Sequence, residues 1–129
     1  MSAFTIKNLR ETQDAAPAIG VETVQEIRFP APDLGAERTG LALMGVRPGR
    51  RQAVAHRHDE AEEIYVIISG SGRIKLDDQV RDVGPLDAIR IAPHVWRGLE
   101  AGAEGLEYLA FGARHEGDGA TVAADEFWA

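Results

Sequence analysis

Short apolar runs recur along this chain, and residues that favour turns separate them at a spacing of roughly ten residues. Within several runs, apolar and polar positions alternate, as they do in strands that bury one face. The segments that we predict as strands are 21–29, 41–48, 64–68, 73–78, 79–83, 88–92, 95–101 and 106–112, with a weaker candidate at 4–10. No long helix is indicated. About eight to ten short strands predict an all-β sandwich or barrel.

Clusters of glycine, proline and aspartate predict the connections between these strands. The clearest are Gly70-Ser71-Gly72, where we expect a tight reversal, Asp77-Asp78, Gly84-Pro85-Leu86-Asp87, Pro93-His94 and 102–105. Residues 11–20 predict a loop or a short helical turn. The tail that follows residue 112 is polar and glycine-rich, and we expect His115 at its surface. It ends in Phe127-Trp128, and we expect these aromatics to dock on the body or on a second subunit.

The composition is that of an ordinary globular chain, with 44% hydrophobic and 27% charged residues. A length of 129 residues predicts a single domain, 1–129, that can bury a core. The 14 basic and 21 acidic residues give a net charge of −7, which argues against nucleic acid or an anionic membrane as a partner. The absence of cysteine excludes disulfides and thiol chemistry. We find neither a signal-peptide pattern nor a membrane-spanning run, and therefore expect a cytoplasmic protein.

The segment from residue 48 to residue 70 contains a dense group of titratable side chains. His56 and His58 are two positions apart, so in a strand both side chains point to the same face. If the apolar run that follows pairs back on this strand, Glu63 and Tyr65 share that inner face. Two histidines and one carboxylate, with positions left open, are the ligand set of non-haem Fe(II) enzymes. The segment therefore predicts a metal site, and the simpler alternative for the two histidines is solvent exposure or a structural hydrogen bond.

This segment resembles the first sequence motif of the cupin superfamily. The residues that carry the match are Gly49, His56-Arg57-His58, Glu63 and Gly70. The residues similar to the second motif are Gly84, Asp87 and Pro93. The resemblance covers about residues 40–112 and implies a double-stranded β-helix, which is a jelly-roll barrel open at one end. It also implies a homodimer of the kind formed by small bacterial cupins.

The second motif departs from the family pattern at its end. Arg97 stands where the family usually has a metal-ligating histidine, and His94 stands where it usually has glycine. The resemblance therefore implies three metal ligands, His56, His58 and Glu63, for a divalent transition ion such as Fe, Ni, Zn or Mn. His94 would supply a fourth ligand only if its turn brings it inward.

Two alternatives follow for Arg97, and the sequence leaves both open. In the first, Arg97 pairs with Glu63 and replaces the cation, so that the site holds no metal. In the second, the triad binds a metal, and Arg97 contacts an anionic ligand beside it. A divalent ion and a guanidinium ~6 Å apart repel by roughly 5 kcal/mol at an effective dielectric of ~20, which favours weak metal binding.

Three functions remain open from the sequence. The barrel could bind a small polar or anionic molecule around a metal, with oxygenase or isomerase chemistry if it is an enzyme. It could instead be a metal-free, non-catalytic module for ligand binding or sensing. The third alternative is a metal-free barrel that serves protein association. The predicted ligand-pocket residues are Arg97, Tyr65 and His94, with Trp96, Tyr108 and Phe111 as further aromatic candidates.

Overall fold

The computed structural model describes residues 3–114 and 117–129, and these residues contain eight β-strands and two short helices. The strands are β1 (Gln25–Arg28), β2 (Thr39–Val46), β3 (Val54–Arg57), β4 (Glu63–Leu76), β5 (Gln79–Val83), β6 (Ala88–Ile91), β7 (Arg97–Ala113) and β8 (Ala120–Ala123). The helices are α1 (Ala31–Leu34) and α2 (Ala124–Trp128), and 3-10 turns lie at Leu9–Glu11 and Pro17–Ile19.

Strand β7 connects the parts of the sheet, and every strand pairing in the described ranges is antiparallel. Its first half lies between β3 and β4, and its second half lies between β2 and β4. Strands β5 and β6 also pair with β4, while β1 and β8 extend the sheet beyond β2 and β3. A sheet in which one strand pairs with three others curls over on itself. This curled, all-β architecture is the predicted jelly roll.

Two predicted turns, at 70–72 and 102–105, are not turns in the structure. The chain continues through each of them, so that β4 is 14 residues long and β7 is 17 residues long. Gly70 has a φ of 75°, and a Cβ there would lie 2.0 Å from the carbonyl oxygen of Gly105. This backbone conformation favours glycine and this close approach requires it, and the β4–β7 register shifts beside it. The glycines therefore bend the paired strands instead of ending them.

The N-terminal part of the chain contains less strand than predicted. Residues 4–10 form no strand, and Ile6 is 90% exposed. The predicted strand over 21–29 shortens to β1, because hydrogen bonds from the N–H groups at positions 24 and 25 to the carbonyl of Val21 form a turn first. The connection between β1 and β2 contains α1, and the second 3-10 turn confirms the expectation for residues 11–20.

The core lies inside the curled sheet and is built mainly from β4 and β7. Its largest fully buried apolar side chains are Tyr65, Tyr108, Ile67, Ile74, Ile91 and Leu99. Along β4, buried Tyr65 and Ile67 alternate with exposed Ile64 and Ile68, which is the period of a strand with one buried face. The same parity places Glu63 on the inner side of β4.

The C-terminal segment packs on this body, and the polar tail contains a short strand and a helix. Strand β8 pairs with β3, and α2 follows it. The Phe127 ring lies against β7 at Gly98, and the Arg51 guanidinium lies 4.6 Å from the centroid of the Trp128 ring. His115 falls outside the described residues. Among the helices of the described chain, none is long and apolar enough to cross a membrane.

Candidate metal centre and adjoining cavity

Three side chains that could ligate a metal meet inside the barrel, and they are His56, His58 and Glu63. One ligand atom from each lies within 4.8 Å of the other two. Nε2 of His58 lies 3.0 Å from Oε1 of Glu63, and Nε2 of His56 lies 3.7 Å from the same oxygen. The structure therefore brings the three candidate ligands together at the atoms through which they would bind a cation.

The bend of β7 assembles this cluster. In the sheet register, His56 pairs with Arg97 at the start of β7, and Glu63 pairs with Gly112 near its end. A straight strand from position 97 to position 112 would span roughly 50 Å. Since His56 and Glu63 nevertheless lie 3.7 Å apart, the glycine bend folds the two halves of β7 onto facing walls.

A backbone carbonyl determines which nitrogen of His58 carries the proton. Nδ1 of His58 lies 2.7 Å from the carbonyl oxygen of Asp118, which can only accept a hydrogen bond. Nδ1 therefore carries a proton, so Nε2 is the ring nitrogen that can present a lone pair to a cation beside Glu63. Two acceptors 3.0 Å apart repel each other unless a proton or a metal ion lies between them. The donor set consequently fits a metal ion.

Arg97 contacts the cluster through Glu63. Its Nη1 donates to Oε1 of Glu63 at 3.2 Å, and its Nη2 donates to the carbonyl of Ala92 at 3.3 Å. The side chain is 0% exposed, and its Nε has no hydrogen-bond partner among the described residues. The pair that the metal-free alternative requires is therefore present. The fully buried guanidinium is not part of the cavity lining, so the assignment of Arg97 to the ligand pocket is corrected.

These surroundings change the acid–base properties of Glu63. Burial alone would raise the pKa of its carboxyl, but the contacts with the two imidazoles and with the Arg97 guanidinium lower it by more. The pKa therefore lies below its ordinary value, so Glu63 is an anion at neutral pH, as a metal ligand must be. Burial raises the pKa of Tyr65 well above its usual value. Its hydroxyl thus stays protonated, 3.5 Å from Oε1 of Glu63.

A cavity of about 580 Å³ adjoins the cluster. The apolar residues of its wall, which come mainly from β1, α1 and β2, include Ile27, Phe29, Pro32, Leu41, Met44 and Val54. Its polar residues outside the cluster are Gln25, Gln52, Tyr108, Arg114 and Thr121, besides Tyr65 next to Glu63. This volume lies in the range of pockets that bind small organic molecules.

The structure does not bring His94 to this cavity, and its assignment to the ligand pocket is corrected. His94 lies exposed in the turn before β7, with a φ of 72°. Its backbone N–H donates to the carbonyl of His58 at 2.7 Å, while the ring is outside the cavity lining. The turn therefore contacts the cluster through its backbone, and His94 supplies no fourth ligand.

Of the other aromatic candidates, Tyr108 lines the cavity, whereas Trp96 and Phe111 do not. Sequence reasoning missed Gln52, whose Nε2 donates to the Tyr108 hydroxyl at 2.7 Å and whose Oε1 accepts the N–H of Leu99. It also missed Asp118, the partner of His58. Both contacts join residues that are far apart in the chain, so no local sequence pattern predicts them. The Gly-Asp-Gly sequence at 117–119 is the one signal near either residue.

Comparison with known proteins gives the family and the fold. The family model described as a cupin domain matches residues 42–111. The polyketide cyclase RemF from Streptomyces resistomycificus has a TM-score of 0.73 at 21% identity, over 93% of this chain and 84% of that one. A cupin protein from Bacteroides fragilis has a TM-score of 0.67 at 21% identity, over 91% and 89% of the two chains.

Oxalate decarboxylase from Bacillus subtilis has a TM-score of 0.71 at 22% identity. The match covers 96% of this chain but only 34% of the decarboxylase chain. No curated protein matches the sequence. At such identities the structural likeness shows the fold alone. The family match spans more than half of the chain and includes the His56-Arg57-His58 and Glu63 motif, and the protein therefore belongs to the cupin family.

Proposed function

We propose that this cupin holds a divalent transition metal with His56, His58 and Glu63 and binds a small organic molecule beside it. The observation that carries the proposal is the convergence of three ligand atoms within 4.8 Å of one another at the wall of a 580 Å³ cavity. The Asp118 carbonyl supports it, because it directs the lone pair of His58 Nε2 towards the cluster. Fe, Ni, Zn and Mn are all candidates, since imidazole and carboxylate ligands suit each of them.

A bound divalent ion would supply a Lewis acid next to the cavity. The residues of the chain supply binding and orientation. Tyr65 and Tyr108 keep their hydroxyl protons, because burial raises the pKa of each, and both side chains line the cavity. They are suited to donate hydrogen bonds to an oxygen of the bound molecule. If the protein is an enzyme, oxygenase or isomerase chemistry remains the proposal.

The residues of the cavity wall narrow the class of molecule that we expect to bind. The sequence predicted a small polar or anionic molecule, but Ile27, Leu41, Met44 and Val54 present aliphatic surface over much of the wall. We therefore expect a molecule with an apolar body and a polar end that faces the cluster. Arg114 adds a cation to the wall, which suits a second, anionic group on the ligand.

A metal-free ligand-binding module is the second candidate function. The Arg97–Glu63 pair favours it, because a guanidinium 3.2 Å from the carboxylate neutralises that charge without a metal ion. In this case the same cavity would bind the same class of molecule without turnover. The homodimer and the cytoplasmic location stay predictions.

Titration of the metal-free protein with Co(II), followed by absorption spectroscopy and calorimetry, tests the proposal. We expect about one Co(II) per chain in the wild type and little or none in His56→Ala and His58→Ala. The matched control is His94→Asn, which removes an exposed histidine outside the cavity and places a residue that tolerates positive φ. Wild-type binding no tighter than that of His58→Ala would contradict the metal site and favour the metal-free module.

A further inference from the structure

We propose that Asp118 is the positioning residue of the metal centre, although it lies 60 positions from His58 in the sequence. The proposal rests on the proposed role of His56, His58 and Glu63 as metal ligands. Asp118 acts at two points: its backbone carbonyl orients the His58 ring, and its carboxylate holds the loop that leads from His58 to Glu63.

Backbone donors of this loop surround the carboxylate of Asp118. Oδ1 accepts hydrogen bonds from the N–H groups of Asp59 and Glu60. Oδ2 accepts from Glu60 at 3.2 Å and from Ala61 at 3.0 Å. Hydrogen bonds to an ionised acceptor are roughly twice as strong as those between neutral groups. Three consecutive N–H groups therefore converge on one half-buried carboxylate, and the loop cannot shift without breaking these bonds.

The loop held in this way connects two of the three metal ligands. His58 immediately follows β3, and Glu63 is the first residue of β4. The side chains of Asp59 and Glu60 are exposed, so Asp118 contacts the backbone of the loop and not its charged groups. A movement of this backbone changes the separation of His58 Nε2 and Glu63 Oε1, and with it the geometry available to a cation.

Gly119 allows Asp118 to come this close to β3. A Cβ at position 119, where φ is 157°, would lie 2.1 Å from the carbonyl oxygen of Arg57. Strand β8 begins at the next residue, and Ala120 pairs with Arg57. The register of β3 and β8 thus brings the Asp118 carbonyl to 2.7 Å from Nδ1 of His58. A carbonyl in this position sets the tautomer and the ring orientation of a metal-ligating histidine.

The first test compares the Co(II) affinity of the full-length wild type, Asp118→Asn and Asp118→Ala by calorimetry. Asparagine keeps the size of the side chain but replaces one accepting oxygen by an amide nitrogen, which cannot accept an N–H. We expect the Co(II) Kd to rise about 10- to 100-fold in both variants, as it does when a supporting partner of a metal ligand is lost. Wild-type affinity in both variants would overturn the proposal.

The matched control is Asp87→Asn. The Asp87 carboxylate also accepts a backbone N–H, that of Gly84 at 2.8 Å, but it lies in a turn outside the cavity lining. We expect an unchanged Co(II) Kd in this variant. A loss of affinity equal to that of Asp118→Asn would mean that the site weakens whenever a carboxylate that accepts a backbone N–H is lost. That result would overturn a specific role for Asp118.

A second measurement uses the metal-free wild type, so its result does not depend on whether a variant folds. Heteronuclear NMR of the His58 ring should show the proton on Nδ1, and hydrogen exchange should show protected amides at residues 59–61. An unprotonated Nδ1, or rapid exchange of these amides, would overturn the Asp118 contacts. If the wild type binds no Co(II) while both NMR signatures are present, the metal function fails and the contacts of Asp118 stand.

Discussion

Replacement of Arg97 tests how the missing fourth ligand affects metal binding. Nη1 of Arg97 lies 3.2 Å from Oε1 of Glu63. Because a metal–oxygen bond is ~2.1 Å long, a metal on that oxygen would lie within ~5.3 Å of Nη1. At this distance and an effective dielectric of ~20, a divalent ion and a guanidinium repel by about 6 kcal/mol, which the Glu63 carboxylate offsets in part. Arg97→His removes the permanent charge and adds an imidazole, so we expect Zn(II), Ni(II) or Fe(II) to bind at least ~10-fold more tightly, a gain of ~1.4 kcal/mol.

Competition against a chromophoric chelator at constant pH measures this gain. Arg90→His is the matched control, because Arg90 is exposed and pairs with Glu62 at 3.2 Å. Unchanged affinity in Arg97→His, or an equal gain in Arg90→His, would refute the reasoning. The same replacement should destabilise the metal-free fold, since removal of one partner from a buried ion pair costs roughly 3–5 kcal/mol. Glu63 keeps its contact with His58, so chemical denaturation should give a cost near the lower end.

Further predictions concern the acid stability, the bend of the sheet and the cavity wall. The pKa of Glu63 is lowered in the folded state, so this group stabilises the fold above its unfolded pKa and loses that contribution as the pH falls through the folded value. In urea denaturation, the advantage of the wild type over Glu63→Gln should therefore shrink below about pH 4, and a gap independent of pH would contradict this. Gly70→Ala should lower the stability of the fold by more than ~2 kcal/mol in thermal melts, because its Cβ would lie 2.0 Å from a carbonyl oxygen of β7. Gly84→Ala is the control and should be nearly neutral, since the space at that position is open. Phe29→Ala, in the cavity wall, should weaken the binding of a naphthoate probe about 5-fold in a fluorescence titration, and an equal loss in Phe111→Ala, outside the cavity lining, would argue against this binding site.

The candidate ligands could be predicted from the sequence because the rules that place them are local. His56 and His58 share a face through the two-residue period of a strand, and Glu63 and Tyr65 share the inner parity of β4. The substitution of Arg97 for the expected histidine was equally visible. Its pairing with Glu63 was one of two alternatives, and the structure contains that pair.

The parts that could not be predicted depend on contacts between distant residues. A glycine such as Gly70 serves a turn or a bend equally well, and only the partner strand decides which of the two forms. Asp118 contacts the loop before β4 because β8 pairs with β3, and the sequence of the polar tail did not predict that pairing. The apolar wall of the cavity combines β1, α1 and β2, so its size and character depend on the closed barrel.

The metal content of the wild type and of His58→Ala, both purified without a histidine tag or chelator, tests the central claim most directly. Elemental analysis should find about one divalent transition metal per chain in the wild type and far less in the variant. Essentially no metal in the wild type, even after anaerobic addition of Fe(II) or Ni(II), would contradict the account. Equal metal in both proteins would place the binding site elsewhere and contradict it as well.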